Sequence, residues 1–128
     1  MPVTATAAAV AAAGSLLAGA TAPVRVTIAA PGHTPRINTH WNYVVRATRA
    51  GRPVAGRITA QIVDPLGGRH PVEFGKGTKR ITNLPFAGEF HDFIVWPPES
   101  RGIPLRFRVV VTVGRVTRTT DYAVTPRS

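Results

Sequence analysis

Leu105-Arg106-Phe107-Arg108-Val109-Val110-Val111-Thr112-Val113 decides the fold. Leu105, Phe107, Val109, Val111 and Val113 fall on one side of an extended chain, and Arg106, Arg108 and Thr112 fall on the other. Successive side chains of a strand point to opposite faces, so this alternation of β-branched and aromatic residues with polar ones marks a strand with one buried face. Six stretches of this kind, each closed by Gly, Pro or Asp, run along the chain. Repeated at short intervals between turn signals, they predict an all-β, antiparallel sandwich or barrel. No window carries the i, i+3, i+4, i+7 spacing of an amphipathic helix.

Working outward, Val24, Val26 and Ile28 alternate with Arg25 and Thr27 in a first strand that stops at Pro31-Gly32. Trp41, Tyr43, Val45 and Ala47 form the next inward row. Gly51-Arg52-Pro53-Val54-Ala55-Gly56 follows as a tight connection, with Gly supplying positive φ and Pro fixing the bend. Ile58, Ala60 and Ile62 are the third row, closed by Asp64-Pro65-Leu66-Gly67-Gly68. Residues 72–74 and 78–84 read as short edge strands, and Gly75-Lys76-Gly77-Thr78-Lys79 reads as a hairpin between them. Residues 90–96 are apolar on both faces, which suits a central strand and leaves its orientation open, and Pro97-Pro98 ends it. Residues 115–124 are the last strand, followed by a short basic tail.

Composition narrows the function. A chain of 128 residues is one domain's worth, large enough to bury a core without covalent staples. It has no cysteine, which excludes a disulfide, a thiolate zinc site, an iron–sulfur cluster and a thiol nucleophile. Sixteen Lys and Arg stand against six Asp and Glu, a formal charge of +10, and Arg outnumbers Lys fourteen to two. GC-rich codon usage accounts for the Arg-over-Lys bias, but less well for the scarcity of acids. A surface so basic favours polyanions: nucleic acid, anionic lipid or an acidic wall polymer.

Residues 3–22 carry no charge and are dominated by Ala. They resemble a secretory h-region, with Ala18-Gly19-Ala20 or Ala20-Thr21-Ala22 as the small-residue cleavage site. No basic residue precedes the stretch, and Pro23 sits close to the second site. A disordered Ala-rich segment and a retained anchor are the alternatives; with only Leu16 and Leu17 strongly apolar, no stable transmembrane anchor is expected. Ala stands where a lipobox would need Cys, which excludes lipid anchoring by that route. The chain thus divides into a signal-like or disordered 1–22 and a sandwich over 23–128.

The order of strands, the Gly51–Gly56 turn, the Gly88-Glu89-Phe90 opening and the Trp96-Pro97-Pro98 break together resemble bacterial exported immunoglobulin-like or fibronectin-III-like modules over residues 23–125. The resemblance implies an immunoglobulin-like β-sandwich of about seven strands, without the inter-sheet disulfide. It also implies a secreted or cell-envelope protein acting as a spacer, adhesive unit or accessory binding domain. It lends no catalytic residue and no cofactor.

The residues themselves offer little chemistry. Of the three serines, Ser15 lies in the signal-like stretch, Ser128 is terminal, and Ser100 sits in a turn without a G-x-S-x-G elbow. Asp64, Glu73, Glu89, Asp92, Glu99 and Asp121 fall mostly in turns or beside basic residues, so no acid–base pair stands out, and Glu89 and Asp92 read as neutralising nearby Arg. His33, His40, His70 and His91 lack H-x-H, H-x-x-H or H-E-x-x-H spacing, and the single Met is Met1. A metal or copper carrier stays a distant third reading, raised only if His40 and His91 converge. In an immunoglobulin-like order the third, sixth and seventh strands share a sheet. Its outer face then groups Arg57, Arg106 and Arg108, with Arg115 at the hairpin. These four are the candidate polyanion-binding residues, because guanidinium binds phosphate and carboxylate in a bidentate manner. The bland counterpart is a solvated face protected from edge pairing by charge. Phe107 points away from the arginines, so stacking on nucleic acid is disfavoured against wall or envelope polyanions or another envelope protein.

Expression in a Gram-positive host tests the signal: intact-mass measurement of the secreted chain should show loss of about twenty N-terminal residues. Full-length protein retained in the cytosol would contradict it.

Overall fold

The apolar rows read in residues 24–28, 41–47, 58–62 and 105–113 all face inward. In the computed structural model the described residues are 22–128, and the signal-like stretch through Thr21 lies outside them. Nine strands follow in order: β1 (Val24–Ala29), β2 (His40–Arg49), β3 (Arg52–Pro53), β4 (Ala55–Val63), β5 (Arg69–Pro71), β6 (Leu84–Ala87), β7 (Glu89–Val95), β8 (Leu105–Val113) and β9 (Val116–Val124). All strand pairings are antiparallel. One sheet has β1, β2 and then β7, with β3 beside β7 on the same edge of β2; the other runs β5 and β6, β4, β8, β9. The two sheets pack face to face as a β-sandwich.

The core lies between β2 and β8. Trp41, Tyr43, Val45 and Ala47 from one sheet meet Ile58, Ala60, Phe107, Val109 and Val111 from the other, all almost fully buried. Phe107 packs on Tyr43 with ring centroids 4.6 Å apart and edge-on against Trp41 at 5.8 Å. Trp96, just past β7, closes one end of this cluster edge-on against Trp41 at 5.5 Å. The strand whose orientation was open resolves with Phe90, Asp92 and Ile94 inward and His91, Phe93 and Val95 outward, the register setting Tyr43 opposite Asp92.

Nine strands form where the resemblance implied about seven, and two local features separate them from the stretches read in the sequence. In Arg49-Ala50-Gly51-Arg52 both Ala50 (φ 53°) and Gly51 (φ 74°) are left-handed, the geometry of a two-residue hairpin turn, so the chain pairs back on β2 as β3 before entering β4. Beside β4, the strands expected over 72–74 and 78–84 are the arms of a small hairpin joined at Glu73 and Arg80. The ladder segments shift outward to β5 and β6, each interrupted by a proline (Pro71, Pro85) that has no N–H to donate. The hairpin still serves the core. Val72 N–H donates to Ala60 O (3.2 Å) and Ala60 N–H donates to Ile81 O (3.0 Å), which sets Val72 and Ile81 inside.

The two long edges are finished differently. Along β1 and β9, Thr120 Oγ1 and Arg118 Nε donate to the carbonyls of Val26 and Val24, each at 3.2 Å. Beyond Pro31-Gly32 the chain crosses sheets and runs parallel to the C-terminal tail, with Ile37 N–H to Arg127 O and Arg127 N–H to Pro35 O, both 2.8 Å. On the far side, the chain passes from β6 to β7 through Gly88. This residue is buried, has φ 83°, and would place a Cβ 2.6 Å from Pro53 Cβ. Its carbonyl also accepts the N–H of Ala47.

Two substitutions test this account by chemical denaturation. Phe107→Ala should cost about 3–5 kcal/mol through lost burial and a cavity. Gly88→Ala should cost about 1–3 kcal/mol, since both φ and Pro53 oppose a side chain there. A neutral Gly88→Ala would show that the crossover is not constrained as described.

Candidate functional site

β4, β8 and β9 do share one sheet, and the register fixes where the four arginines stand. Arg108 lies opposite Gln61 and Arg106 opposite Val63, whereas Arg57 lies opposite Thr112 near the other end of the sheet. Four residues of strand separate positions 108 and 112, about 13 Å. Arg115 is exposed in the two-residue turn between Val113 and Val116, at the Arg57 end. The face therefore carries its guanidiniums as two pairs.

Each pair has its own chemistry. Asp121 on β9 sits directly across from Arg108 and accepts Nε at 2.8 Å and a terminal nitrogen at 2.9 Å, a bidentate pair. Arg106 approaches the same carboxylate at 3.4 Å. The hydrogen bond from Arg108, more than the charges of Arg108 and Arg106, holds Asp121 below the usual carboxylate range against the opposing effect of partial burial. One acid thus offsets the Arg106–Arg108 pair. At the other end, Arg57 donates to Asn83 O at 3.0 Å while Thr59 Oγ1 accepts Asn83 N–H at 2.9 Å. Together they hold Asn83 at φ 50° on the approach to β6. Among the described residues Arg115 has no hydrogen-bond or ion-pair partner.

The histidines occupy four separate places. His40 and His91 share the outer face of the first sheet but lie opposite Val95 and Val44 respectively, four positions apart on β2. His40 stacks on Phe93 with centroids 3.9 Å apart, and His91 pairs with Glu89. His33 stacks on Tyr122 and bonds the Ala123 carbonyl at 2.6 Å, and His70 bonds Asp64 at 2.8 Å. Among the described residues, no three His, Asp or Glu side chains form a group able to hold a metal ion. Ser100 donates to Pro97 O at 2.6 Å within the 3-10 turn Pro98–Ser100.

The carboxylates are mostly spent on local structure. Asp64 accepts Leu66 N–H and Gly68 N–H at 2.9 Å, closing its turn; His70, first among the causes, holds this carboxyl below its usual range. Glu89 is likewise held low, by His91 first and then by Arg46, 3.5 Å away. Asp92 neutralises no arginine, contrary to expectation. It points inward and accepts the Gly75 N–H at 3.1 and 3.2 Å, tying down the 72–81 hairpin. The facing Tyr43 is 1% exposed and its hydroxyl has no hydrogen bond of ordinary geometry. Burial, with the Asp92 carboxylate behind it, pushes the phenol far above its usual value.

What sequence reasoning missed is a groove on the open side of the sandwich, between the end of β7 and the β5 region, with a volume of about 820 Å³. Val95 and Ile103 are in its walls and remain 43% and 37% exposed. The available signal was the second apolar row of residues 90–96, which a strand with one buried face does not need.

Asp121 generates a pH prediction. A carboxyl whose folded pKa lies below its unfolded value stabilises the fold above the unfolded value, and that contribution is lost as pH falls through the folded one. Melting temperatures recorded from about pH 7 to about pH 3 should place Asp121→Asn below wild type at neutrality, with the gap closing in acid. A gap that widens in acid would contradict the pairing. Comparison with known protein families, with characterised proteins and with solved structures finds no match.

Proposed function

We propose that this chain is a non-enzymatic, exported immunoglobulin-like or fibronectin-III-like module with a structural or adhesive role at the cell envelope. One observation carries the reading: Asp64, Glu89, Asp92 and Asp121 are each committed to a turn, a loop or an arginine, so the polar groups hold strands together instead of converging on a reacting centre. The strand order supports it, with the first, second and seventh strands in one sheet and the fourth, eighth and ninth in the other. Among the described residues no helix is long and apolar enough to cross a membrane.

A second reading, binding of an envelope polyanion, has its own support. Of the sixteen Lys and Arg, only Arg46, Arg106 and Arg108 have an acidic partner among the described residues. The positive field is a property of the whole surface, to which Arg57, Arg106, Arg108 and Arg115 contribute while Asp121 offsets part of their share.

Fractionation of source cells with an antibody to the chain tests the first reading; it should appear in the medium or the envelope, and a cytosolic pool would overturn it. Heparin chromatography tests the second. Retention should fall steeply with salt. Replacing Arg57, Arg106, Arg108 and Arg115 by Gln should lower the elution salt about as much as replacing Arg25, Arg52, Arg69 and Arg80. A much larger loss from the first set would make that face a discrete site.

A further inference from the structure

We infer that the groove on the open side of the sandwich docks an extended peptide segment of alternating apolar and basic residues, laid along the free edge of β7. This goes beyond the function proposed above, because it gives a cationic partner to a chain whose bulk charge attracts anions.

Charge is the first argument. Asp64, Glu73 and Glu99, half of the six acids in the chain, line the groove, and none of its sixteen Lys and Arg does. Glu73 and Glu99 are exposed and have no ion-pair partner among the described residues. Arg80 stands across the hairpin from Glu73 and Lys76 falls between Gly75 and Gly77, but neither lines the groove, so its walls themselves present a basic segment with acids and no Lys or Arg.

Apolar surface is the second argument. Three large apolar side chains are exposed among the described residues: Val95 and Ile103 in the groove walls, and Leu66 on the turn that Asp64 closes. Val95 and Ile103 meet in one depression flanked by Ile62, Phe74 and Leu105, which is the arrangement of a docking surface and not of scattered exposed residues. Trp96 belongs to the same wall; it is 2% exposed and its indole N–H has no hydrogen-bond partner.

The backbone supplies the third. β7 is paired only with β2. The Gly75 loop covers its other edge at Asp92, whose carboxylate accepts the Gly75 N–H, and at Phe93, whose ring lies against Gly75; beyond it, at Ile94 and Val95, that edge has no strand partner. An edge strand beside an apolar groove is the template for strand addition, in which main-chain hydrogen bonds supply affinity and alternate side chains supply specificity. Side chains of an added strand alternate in direction. One set enters between Val95 and Ile103, and the other reaches the rim where Glu73 and Glu99 stand. Apolar residues fit the first set and Lys or Arg the second.

The test titrates the isotope-labelled full chain with a capped heptapeptide alternating Val and Arg, and with the same peptide carrying Glu in place of Arg. The basic peptide should shift the Val95 and Ile103 methyls and the Trp96 indole N–H, and the acidic peptide should not. Glu73→Gln combined with Glu99→Gln should weaken binding about fivefold, as expected for two exposed charge pairs. Val95→Thr, which suits a strand and keeps the fold, should weaken it independently of salt. Equal binding of the two peptides, shifts mapping elsewhere, an unaffected double Glu variant, or no binding at millimolar peptide would each overturn the proposal. So would concentration-dependent self-association in sedimentation that protects Val95 and Ile103, since a second copy of this chain would then be the occupant. None of these outcomes depends on where the protein resides in the cell.

Discussion

The packing of Phe107 in β8 against Tyr43 and Trp41 in β2 is the contact on which the rest of the structure depends. The chain has no cysteine, so nothing covalent joins the two sheets. Their attachment is the burial of these rings, extended by Trp96 and Tyr122 against Trp41 and by the aliphatic rows of β4 and β8. Large aromatic side chains bury the most area per residue and prefer tilted or edge-on arrangements, which is how this cluster is built. With the sheets clamped, the outer faces are free to be polar and the charges of the chain, the inward Asp92 apart, can be placed at the surface.

A sandwich clamped at its centre still has two sides to finish, and this one finishes them unequally. Along β1 and β9 the edge carbonyls are answered by Thr120 and Arg118, and the crossing segment after Gly32 pairs with the C-terminal tail. On the opposite side, prolines shorten β5 and β6, Gly88 turns the chain between sheets, and the 72–81 hairpin reaches as far as Asp92 and the Phe93 ring. The remaining gap is where apolar side chains meet solvent. Asp92 fastens the tip of the hairpin to β7 by accepting the Gly75 N–H.

Electrostatics follow the same division. Acids on the strands and turns are consumed locally, which leaves most of the bases unpaired and spread over the surface, whereas Glu73 and Glu99 stay free beside the gap. Polarity is therefore reversed locally, a basic body with one acidic-rimmed apolar groove. Contacts made through such a surface differ in sign from place to place.

The sequence by itself determined the sandwich and most of its inward residues. The period of two in 41–47, 58–62 and 105–113 is a property of the extended backbone, and burial follows from it wherever only one face is apolar. It also placed the Gly51 turn and the hairpin at residues 75–77, because positive φ and missing N–H groups are local. Tertiary structure alone decided the rest. Which face of residues 90–96 turns inward depended on pairing with β2, since both rows are apolar. Whether Arg57, Arg106, Arg108 and Arg115 gather depended on the offset between β4 and β8 and on Asp121 standing across from Arg108, neither of which a single strand encodes. The groove exists only because two sheet edges that are distant in sequence stop short of each other. Periodicity reports the direction of a side chain, not what stands opposite it.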